Sequence, residues 1–421
     1  MAISSELPVI NPTSRLSRPS APSLATIPGP LLLSRIFETF GCFCRHIGIL
    51  PISVNEDGTA TFKFFSRPLL HTLSYILIFV GTLSLYLPDA IRHFSGIPDP
   101  ALAIAENLFI GGQLLGVVLT LLQIPLIARR FAVVWNGLRD VVSFMASRNL
   151  SHLYRKPYVR SRIMLVIHLI YLIIYAVICW RDFANRIESA VSKTKDPFRY
   201  WVNAVLLVVF FISVFFHLLP FMLYKMFAVI IIKSFIGLEI LLKERNTSQV
   251  GADWKIPQHL QLKELIKIYA NLVSLTKGLG GALGLYILVE MVVLMTSLLM
   301  TVFTMLSQFQ QRDVYSTVFC FVSYSVLLIV VTETGEHLGV VGKRCLGNLR
   351  EEVYSIYSAD EVDTALMHKV GTLKRPKLSA GGFFSVNRTL SVAMGSTFAT
   401  YFVVILQFKL NTSVFESSSS K

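Results

Sequence analysis

The sequence contains few charged residues for a chain of its length. Only 15% of its 421 residues are charged, whereas 53% are hydrophobic, and its mean hydropathy is +0.61. About 25% of the residues of a soluble globular domain are charged, so this composition excludes that class of protein. Several apolar runs reach the length of about 20 residues that a helix needs to cross a bilayer. The chain is therefore predicted to be an all-α polytopic membrane protein.

The sequence also lacks the motifs of common enzymes and metal sites. It contains neither His-Glu-x-x-His nor Gly-x-Ser-x-Gly, and no acids are paired at catalytic spacing. Its cysteines show no zinc-binding spacing, and most fall on the reducing side of the topology given below, so no structural disulfide is expected. They are Cys42, Cys44, Cys179, Cys320 and Cys345. We expect no enzymatic activity, no cofactor and no metal site.

Basic residues outnumber acidic ones, and their distribution explains the excess. The net charge of +14 raises the possibility of nucleic-acid binding. However, most of the 39 Lys and Arg residues lie in segments on the N-terminal side of the predicted membrane. Because positive charge is retained on the cytosolic side, the N-terminus is predicted to be cytosolic and the C-terminus extracellular. No nucleic-acid partner is expected.

Hydropathy predicts seven transmembrane helices. They lie at about 69–87, 107–127, 163–180, 202–221, 282–306, 315–332 and 383–408. Seven helices that start in the cytosol are inverted relative to a G-protein-coupled receptor. The acidic-Arg-Tyr triplet and the Asn-Pro-x-x-Tyr motif of rhodopsin-like receptors are missing as well, which argues against that class.

The predicted organisation follows from these helices. Residues 1–30 are rich in Ser and Pro and are predicted to form a disordered cytosolic tail. The other segments are 31–221 with the first four transmembrane helices and their loops, 222–281 as a cytosolic helical extension, 282–332 with the fifth and sixth transmembrane helices, 333–382 as a cytosolic helical segment, 383–410 as the seventh helix, and 411–421 as a short extracellular tail.

The fourth predicted helix is longer than the membrane is thick. Residues 202–245 remain apolar and compatible with a helix, and at 1.5 Å per residue they would span roughly 66 Å, about twice a hydrocarbon core. Its inner part therefore needs an apolar partner in the cytosol, which Leu260–Val273 and Leu349–Leu373 can supply. The inner helix ends are predicted to form a cytosolic anchor bundle, either within one subunit or between subunits.

Two features of the fifth predicted helix are unusual. The glycine-rich run Gly278–Gly284 at its start is interpreted either as a flexible point or as a close-packing site. Glu290 lies inside the helix, and an ionisable side chain within a membrane is a functional candidate by default.

The seventh predicted helix carries a stripe of polar side chains. If it is wound at 100° per residue, six polar residues fall within an arc of about 80°. They are Ser385, Thr389, Ser396, Thr400, Gln407 and Asn411. In hydrocarbon such a stripe faces either other helices, as Ser/Thr packing contacts, or water, as the lining of a pore shared by several copies of the chain. The spacing alone favours neither interpretation.

The end of this helix resembles a known signature. Thr400 and Tyr401, five apolar residues, and then Gln407 and Phe408 resemble the TYhhhhhQF signature that closes the last helix of insect gustatory receptors. The upstream Val386–Leu390 is also similar to the family's sequence at the start of this helix. The resemblance implies a chemoreceptor in the plasma membrane of a gustatory sensory neuron, acting as a tetrameric, ligand-gated, non-selective cation channel.

The resemblance also implies roles for individual residues. Four copies of the last helix would line the pore, with Gln407 and Phe408 at an outer constriction. Ser396 and Thr400 would line the pore below it, and Tyr401 would pack behind its wall. Many sugar-responsive members carry Glu after the Thr-Tyr pair, where this chain has Phe402. Bitter or other non-sugar tastants are therefore favoured as ligands.

Aromatic and small polar residues in the outer halves of the helices are candidates for a ligand pocket. They are Tyr171, Tyr175, Phe211, Thr301 and Tyr324. A concave aromatic pocket with a few polar groups suits small neutral organic ligands. An aromatic belt at the membrane interface has the same composition, and the pocket is favoured only for Tyr175 and Tyr324.

Two other classes of membrane protein compete with the channel. A secondary transporter would show an internal repeat with broken helices in both halves, and no such repeat is visible. A receptor coupled to intracellular signalling is opposed by the predicted orientation. The expected partners are a small-molecule tastant, the lipid bilayer, and identical or related subunits.

Overall fold

The chain folds mainly into long helices. The computed structural model describes residues 29–38, 42, 44, 52–63, 66–94, 100–159, isolated positions between 163 and 177, 220–244, 258–307, 314–357 and 364–419. The α-helices are α1 (Gly29–Ile36), α2 (Arg67–Phe94), α3 (Pro100–Ser147), α4 (220–244), α5 (Gln258–Ser307), α6 (Val314–Tyr357), α7 (Thr364–Thr372) and α8 (Arg388–Ser419). Ser151–Tyr154 form a short 3₁₀ turn after α3.

Two small antiparallel hairpins accompany the helices. β1 (Ser53–Val54) pairs with β2 (Ala60–Thr61), and β3 (Ser379–Ala380) pairs with β4 (Phe384–Ser385). In the second hairpin Ser379 lies opposite Ser385, and α8 begins three residues after the hairpin ends. This hairpin therefore fixes where the last helix starts.

Three helical stretches in the described part of the chain are long and apolar enough to cross a membrane. They are Leu115–Ser147, Leu262–Leu299 and Phe321–Ser355. Each overlaps a predicted span, at 107–127, 282–306 and 315–332 respectively. The predicted span at 69–87 lies within α2, and the one at 383–408 overlaps α8. Most of the spans predicted at 163–180 and 202–221 lie outside the described residues.

The helices α3 and α5 form the main helix pair of the described fold. They run antiparallel, with Gly278 opposite Val134 and Leu275 opposite Gly137. The predicted periodicity of Leu260–Val273 is confirmed, because Leu262, Ile266, Tyr269 and Leu272 are buried at spacings of three and four residues. α5 is a single helix from this amphipathic part into the membrane-spanning part.

The ends of several described helices form a bundle around an aromatic core, as predicted. The ring of Phe227 on α4 lies 4.6 Å from Phe37, 4.7 Å from Phe131 and 5.9 Å from Trp135. All four side chains are at most 2% exposed. Tilted and edge-on aromatic pairs at these distances are favourable beyond their apolar contact. We call the packed ends of α1, α3, α4, α5 and α6 the anchor bundle.

The first two residues of α1 belong to the segment expected to be a disordered tail. Leu32, Leu33 and Ile36 of α1 are buried in the anchor bundle. The β1–β2 hairpin packs beside them, since Trp135 donates its indole N–H to the Gly58 carbonyl oxygen at 3.0 Å. The side-chain amide of Asn136 pairs with both backbone groups of Ala60, at 2.7 and 2.9 Å. Segments ahead of the first predicted span thus contribute to the bundle.

Two polar contacts are buried in the anchor bundle. The Glu239 carboxylate, 7% exposed, accepts from Arg344 at 2.8 and 3.1 Å and from Asn348 at 3.3 Å. A buried carboxylate with such partners avoids the cost of an isolated charge. The hydroxyls of Tyr154 and Ser234 are 2.9 Å apart. Burial raises the pKa of Tyr154 above its ordinary value, so this phenol stays neutral near pH 7.

We expect Phe227→Ala to destabilise the anchor bundle strongly, because it removes a ring that contacts three others and leaves a cavity. The loss should be about 3–5 kcal/mol, visible as a lower melting temperature of the detergent-solubilised protein. The control is Val133→Ala on α3, whose side chain is 69% exposed and which should change stability by about 0.5 kcal/mol or less. Equal effects of the two variants would contradict the assigned core.

Candidate pore helix and its attachment

The polar stripe of the last helix is exposed. Thr389, Ser396, Thr400 and Gln407 are all exposed side chains of α8, and they share one face of the helix. Ser385, which the continuous winding included, instead lies in β4, because the hairpin places the helix start at Arg388. The Thr400 hydroxyl donates to the Ser396 carbonyl oxygen at 3.0 Å, one helical turn away.

The opposite face of α8 packs against the protein. Leu390, Met394 and Phe398 recur every four residues and contact the apolar core, with Met394 8% exposed. The Phe398 ring lies 6.0 Å from Phe321 on α6 and stacks at 6.3 Å on Phe402. The polar stripe is thus on the far side of the helix from its packing face.

A glycine-lined groove holds the segment that leads into α8. A Cβ at Gly280 of α5 would lie 2.7 Å from the Ser379 carbonyl oxygen, and one at Gly284 would overlap the Gly381 amide nitrogen. On α6, a Cβ at Gly335 would overlap the Val386 carbonyl oxygen. Of the two interpretations of Gly278–Gly284, the structure supports close packing, and the packed partner is the β3–β4 hairpin.

The hairpin itself requires glycine at its turn. Gly381 and Gly382 have φ angles of +60° and +87°, a region that side chains with a Cβ disfavour. The turn exposes Phe383, whose side chain is 73% accessible. On the other side of the hairpin, Tyr269 donates to the Lys374 carbonyl oxygen at 3.2 Å and ties the segment to the anchor bundle.

The first turn of α8 is attached to α6 by polar contacts. Arg388 donates from Nε and Nη2 to the two carboxylate oxygens of Glu333, at 2.7 and 2.8 Å. The Thr332 and Ser391 hydroxyls are hydrogen bonded one turn further on. Asn387 caps the helix, because its side-chain oxygen accepts from the Leu390 amide at 3.3 Å. Neither Glu333 nor Arg388 stands out in the sequence as a functional candidate.

A buried polar contact joins α3 and α5. The Thr120 hydroxyl donates to Glu290 at 3.0 Å, and both residues are at most 2% exposed. Tyr286, one turn from Glu290 and also 2% exposed, hydrogen bonds to both. Glu290 was a functional candidate in the sequence, and the structure gives it a place in helix packing.

The remaining predicted residues are placed as follows. Tyr401 is 54% exposed, and Phe408 belongs to α8 although its side chain is not among those described. Among the ligand-binding candidates, Tyr171 is partly buried against the core. Thr301 and Tyr324 lie on α5 and α6, but their side chains are not described. Tyr175 and Phe211 lie outside the described residues.

Helices that are long and apolar enough to cross a membrane and that join in an anchor bundle define a polytopic membrane protein. The chain belongs to the 7tm chemosensory receptor family, whose model matches residues 42–412. The resemblance of the last helix to insect gustatory receptors agrees with this family. The all-α, seven-helix fold class predicted from the sequence is confirmed, and the family is one of chemoreceptors rather than of enzymes.

Solved structures show the same fold. The chain is similar to the insect olfactory receptor OR5 from Machilis hrabei, with 12% identity, a TM-score of 0.65, and coverage of 90% of this chain and 99% of that one. The same receptor in complex with eugenol gives 11% identity and a TM-score of 0.62 at the same coverage. At these identities the likeness concerns the fold. A comparison with curated proteins finds no significant match.

We expect Gly284→Ala to disturb the seat of the β3–β4 hairpin, because the new methyl group would overlap the Gly381 backbone. Overpacking of this kind costs about 1–3 kcal/mol, which a melting curve in detergent would show. The control is Gly281→Ala in the same helical turn, where the added Cβ meets nothing within 4 Å. It should be neutral or stabilising by up to about 1 kcal/mol. A loss of stability in the Gly281→Ala control alone would contradict the assignment of Gly284 to the groove that holds the hairpin.

Proposed function

We propose that the protein is a gustatory receptor subunit that forms a ligand-gated, non-selective cation channel. The observation that carries the proposal is the exposed polar stripe of α8, which lies opposite the packing face of that helix. Within the membrane an exposed polar stripe must meet water or another protein surface. The described contacts of α8 within its own chain use the other face, which favours an environment supplied by further copies.

A closed ring of identical subunits provides that environment. In a tetramer with cyclic symmetry, the same face of every α8 points to the rotation axis, so four stripes enclose one polar path. Thr389, Ser396 and Thr400 would then present hydroxyl groups to a hydrated pore. A ring of related but non-identical subunits satisfies the same geometry. The anchor bundle would hold the subunits together outside the membrane.

The outer part of the stripe is proposed as the gate. Gln407 and Phe408 would form the outer constriction, with Phe408 excluding water when the pore is closed and Gln407 facing the path when α8 rotates. Ser396 and Thr400 would line the pore below, and Tyr401 would pack behind its wall. The proposal for Gln407 is supported by its exposure on the same face as Thr400.

The proposed ligands are small organic tastants that enter from outside. The similar olfactory receptor has been solved with eugenol, which supports the proposal of a small organic ligand for this chain. Phe402 in place of Glu favours bitter or other non-sugar compounds. Tyr175 and Tyr324 are proposed for the pocket, with Tyr171, Phe211 and Thr301 around it. A ligand would open the pore through its higher affinity for the open arrangement.

Cysteine accessibility tests the pore. Ser396→Cys and Thr400→Cys receptors, expressed in cells and studied in excised patches without nucleotide, should lose most of their cation current when a charged, water-soluble thiol reagent is added. The matched control is Met394→Cys on the packing face of α8, whose current should be unaffected. Block of Met394→Cys alone, or of none of the three variants with current present, would contradict the assigned pore face.

The proposed orientation places the C-terminus outside a cell whose plasma membrane carries the receptor. An epitope fused after Lys421 should therefore be labelled by antibody on intact cells, because the positive charges retain the N-terminal side in the cytosol. A second epitope before Met1 is the control and should be labelled only after permeabilisation. The reverse pattern would contradict the orientation and the direction of the pore.

A further inference from the structure

The start of α8 carries a cation where a helix favours an anion. Arg388 is its first residue, and the first turn contains no acidic residue. The exposed amide groups of a helix N-terminus make it electropositive, so an arginine there is unfavourable on its own. The compensating carboxylate comes from α6, since both oxygens of Glu333 accept from Arg388. One acid on a neighbouring helix thus compensates the charge of the arginine.

The geometry of this ion pair is directional. A guanidinium group that donates two parallel hydrogen bonds to one carboxylate fixes the relative orientation of the two planes, which a lysine could not do. The side chains of Arg388 and Glu333 are 68% and 46% exposed. Ion pairs with such exposure contribute little to folding stability. The main physical effect of the pair is therefore to orient α8 relative to α6.

Neighbouring contacts restrict the same few residues. Thr332 is bonded to Ser391, and Gly335 permits α6 to touch the Val386 carbonyl. Further up, α8 meets α6 through rings, as in the Phe321 and Phe398 pair. Apolar contacts of that kind tolerate sliding and rotation, whereas the polar contacts at the base do not. The contacts of α6 that restrict rotation of α8 about its own axis therefore lie at residues 332–335.

We propose that Glu333 and Arg388 are a positioning pair that sets the rotation of α8 about its axis and couples α6 to it. The inference rests on the proposed channel, because rotation of α8 affects conduction only if its polar stripe faces the pore. The outer half of α6 contains the ligand-pocket candidate Tyr324. A displacement of α6 would reach the base of the pore helix through this pair.

Hydrogen exchange tests the positioning role without any ligand or current. In the purified full-length receptor, Arg388→Gln and Glu333→Gln should each speed exchange of the backbone amides of residues 391–396 by up to about fivefold, the upper limit for an exposed ion pair, because the first turn of α8 loses its attachment. The exchanged-charge variant Glu333→Arg/Arg388→Glu restores an ion pair between the same positions. It should return exchange to within about twofold of the parent protein.

The chain offers a matched control for loss of an ion pair. Arg148, just after α3, and Glu264 of α5 are 3.1 Å apart with side chains 45% exposed. Arg148→Gln/Glu264→Gln therefore removes an exposed ion pair between two elements and should leave exchange at 391–396 unchanged. The Arg388→Gln variant is the more decisive of the single changes, since Glu336 also attracts Arg388 and could replace Glu333.

Currents test the coupling. With surface receptor quantified, unliganded cation current per receptor should change about fivefold or more in Arg388→Gln and Glu333→Gln, a size typical of coupling between sites. It should return to the parent value in the exchanged-charge variant, with unitary conductance unchanged throughout. A variant that fails to fold would instead lower the amount of receptor at the cell surface.

Two results would overturn the proposal. One is parent-like exchange at 391–396 in Arg388→Gln, and the other is an exchanged-charge variant no closer to the parent protein than the single variants are. Absence of current from the parent protein itself would contradict the proposed channel. Exchange would then still decide whether the pair positions α8.

Discussion

A polar side chain inside a membrane needs a partner, and this requirement organises the structure. Between the packed helices α3 and α5, the buried side chains of Glu290 and Thr120 satisfy one another. The last helix departs from that pattern, because its hydroxyl and amide side chains gather on a face that its own chain leaves exposed. The chain therefore presents a polar surface whose environment comes from outside it, and the proposed ring of subunits would supply that environment.

The anchor bundle and the glycine groove position the start of α8 and thereby the polar face of this helix. The aromatic core around Phe227 fixes the inner ends of the helices, and Tyr269 attaches the segment before α8 to this core. Gly280 and Gly284 let the backbone of the hairpin approach α5 more closely than any side chain would allow. Close backbone packing leaves little room for the hairpin to shift. The start of the last helix is thus held by main-chain shape as well as by side chains.

Much of this could be predicted from the sequence, because hydropathy and helical periodicity act locally. The long helices, the periodicity of Leu260–Val273 and the polar stripe were visible as patterns, and the structure contains them. The place of Ser385 was predicted wrongly, since winding a continuous helix cannot reveal a hairpin that depends on Gly381 and Gly382. Contacts between distant segments, such as Glu333 with Arg388, leave no periodic signal. The sequence signal for this ion pair was an arginine at the start of a helix whose first turn contains no acidic residue.

The polar contacts that attach α8 to α6 lie near the N-terminal end of α8, so the helix can act as a lever. Its described polar contacts with α6 lie at Arg388 and Ser391, the apolar ring contacts beyond them tolerate sliding, and Gln407 lies further along the same helix. From Arg388 to Gln407 the helix rises roughly 28 Å at 1.5 Å per residue. A tilt of about 5° at its base would then move the level of Gln407 sideways by roughly 2.5 Å, since a helix of this length transmits the angle as a stiff rod. Small displacements at the foot of the helix are amplified at its far end, without any change in the helix itself.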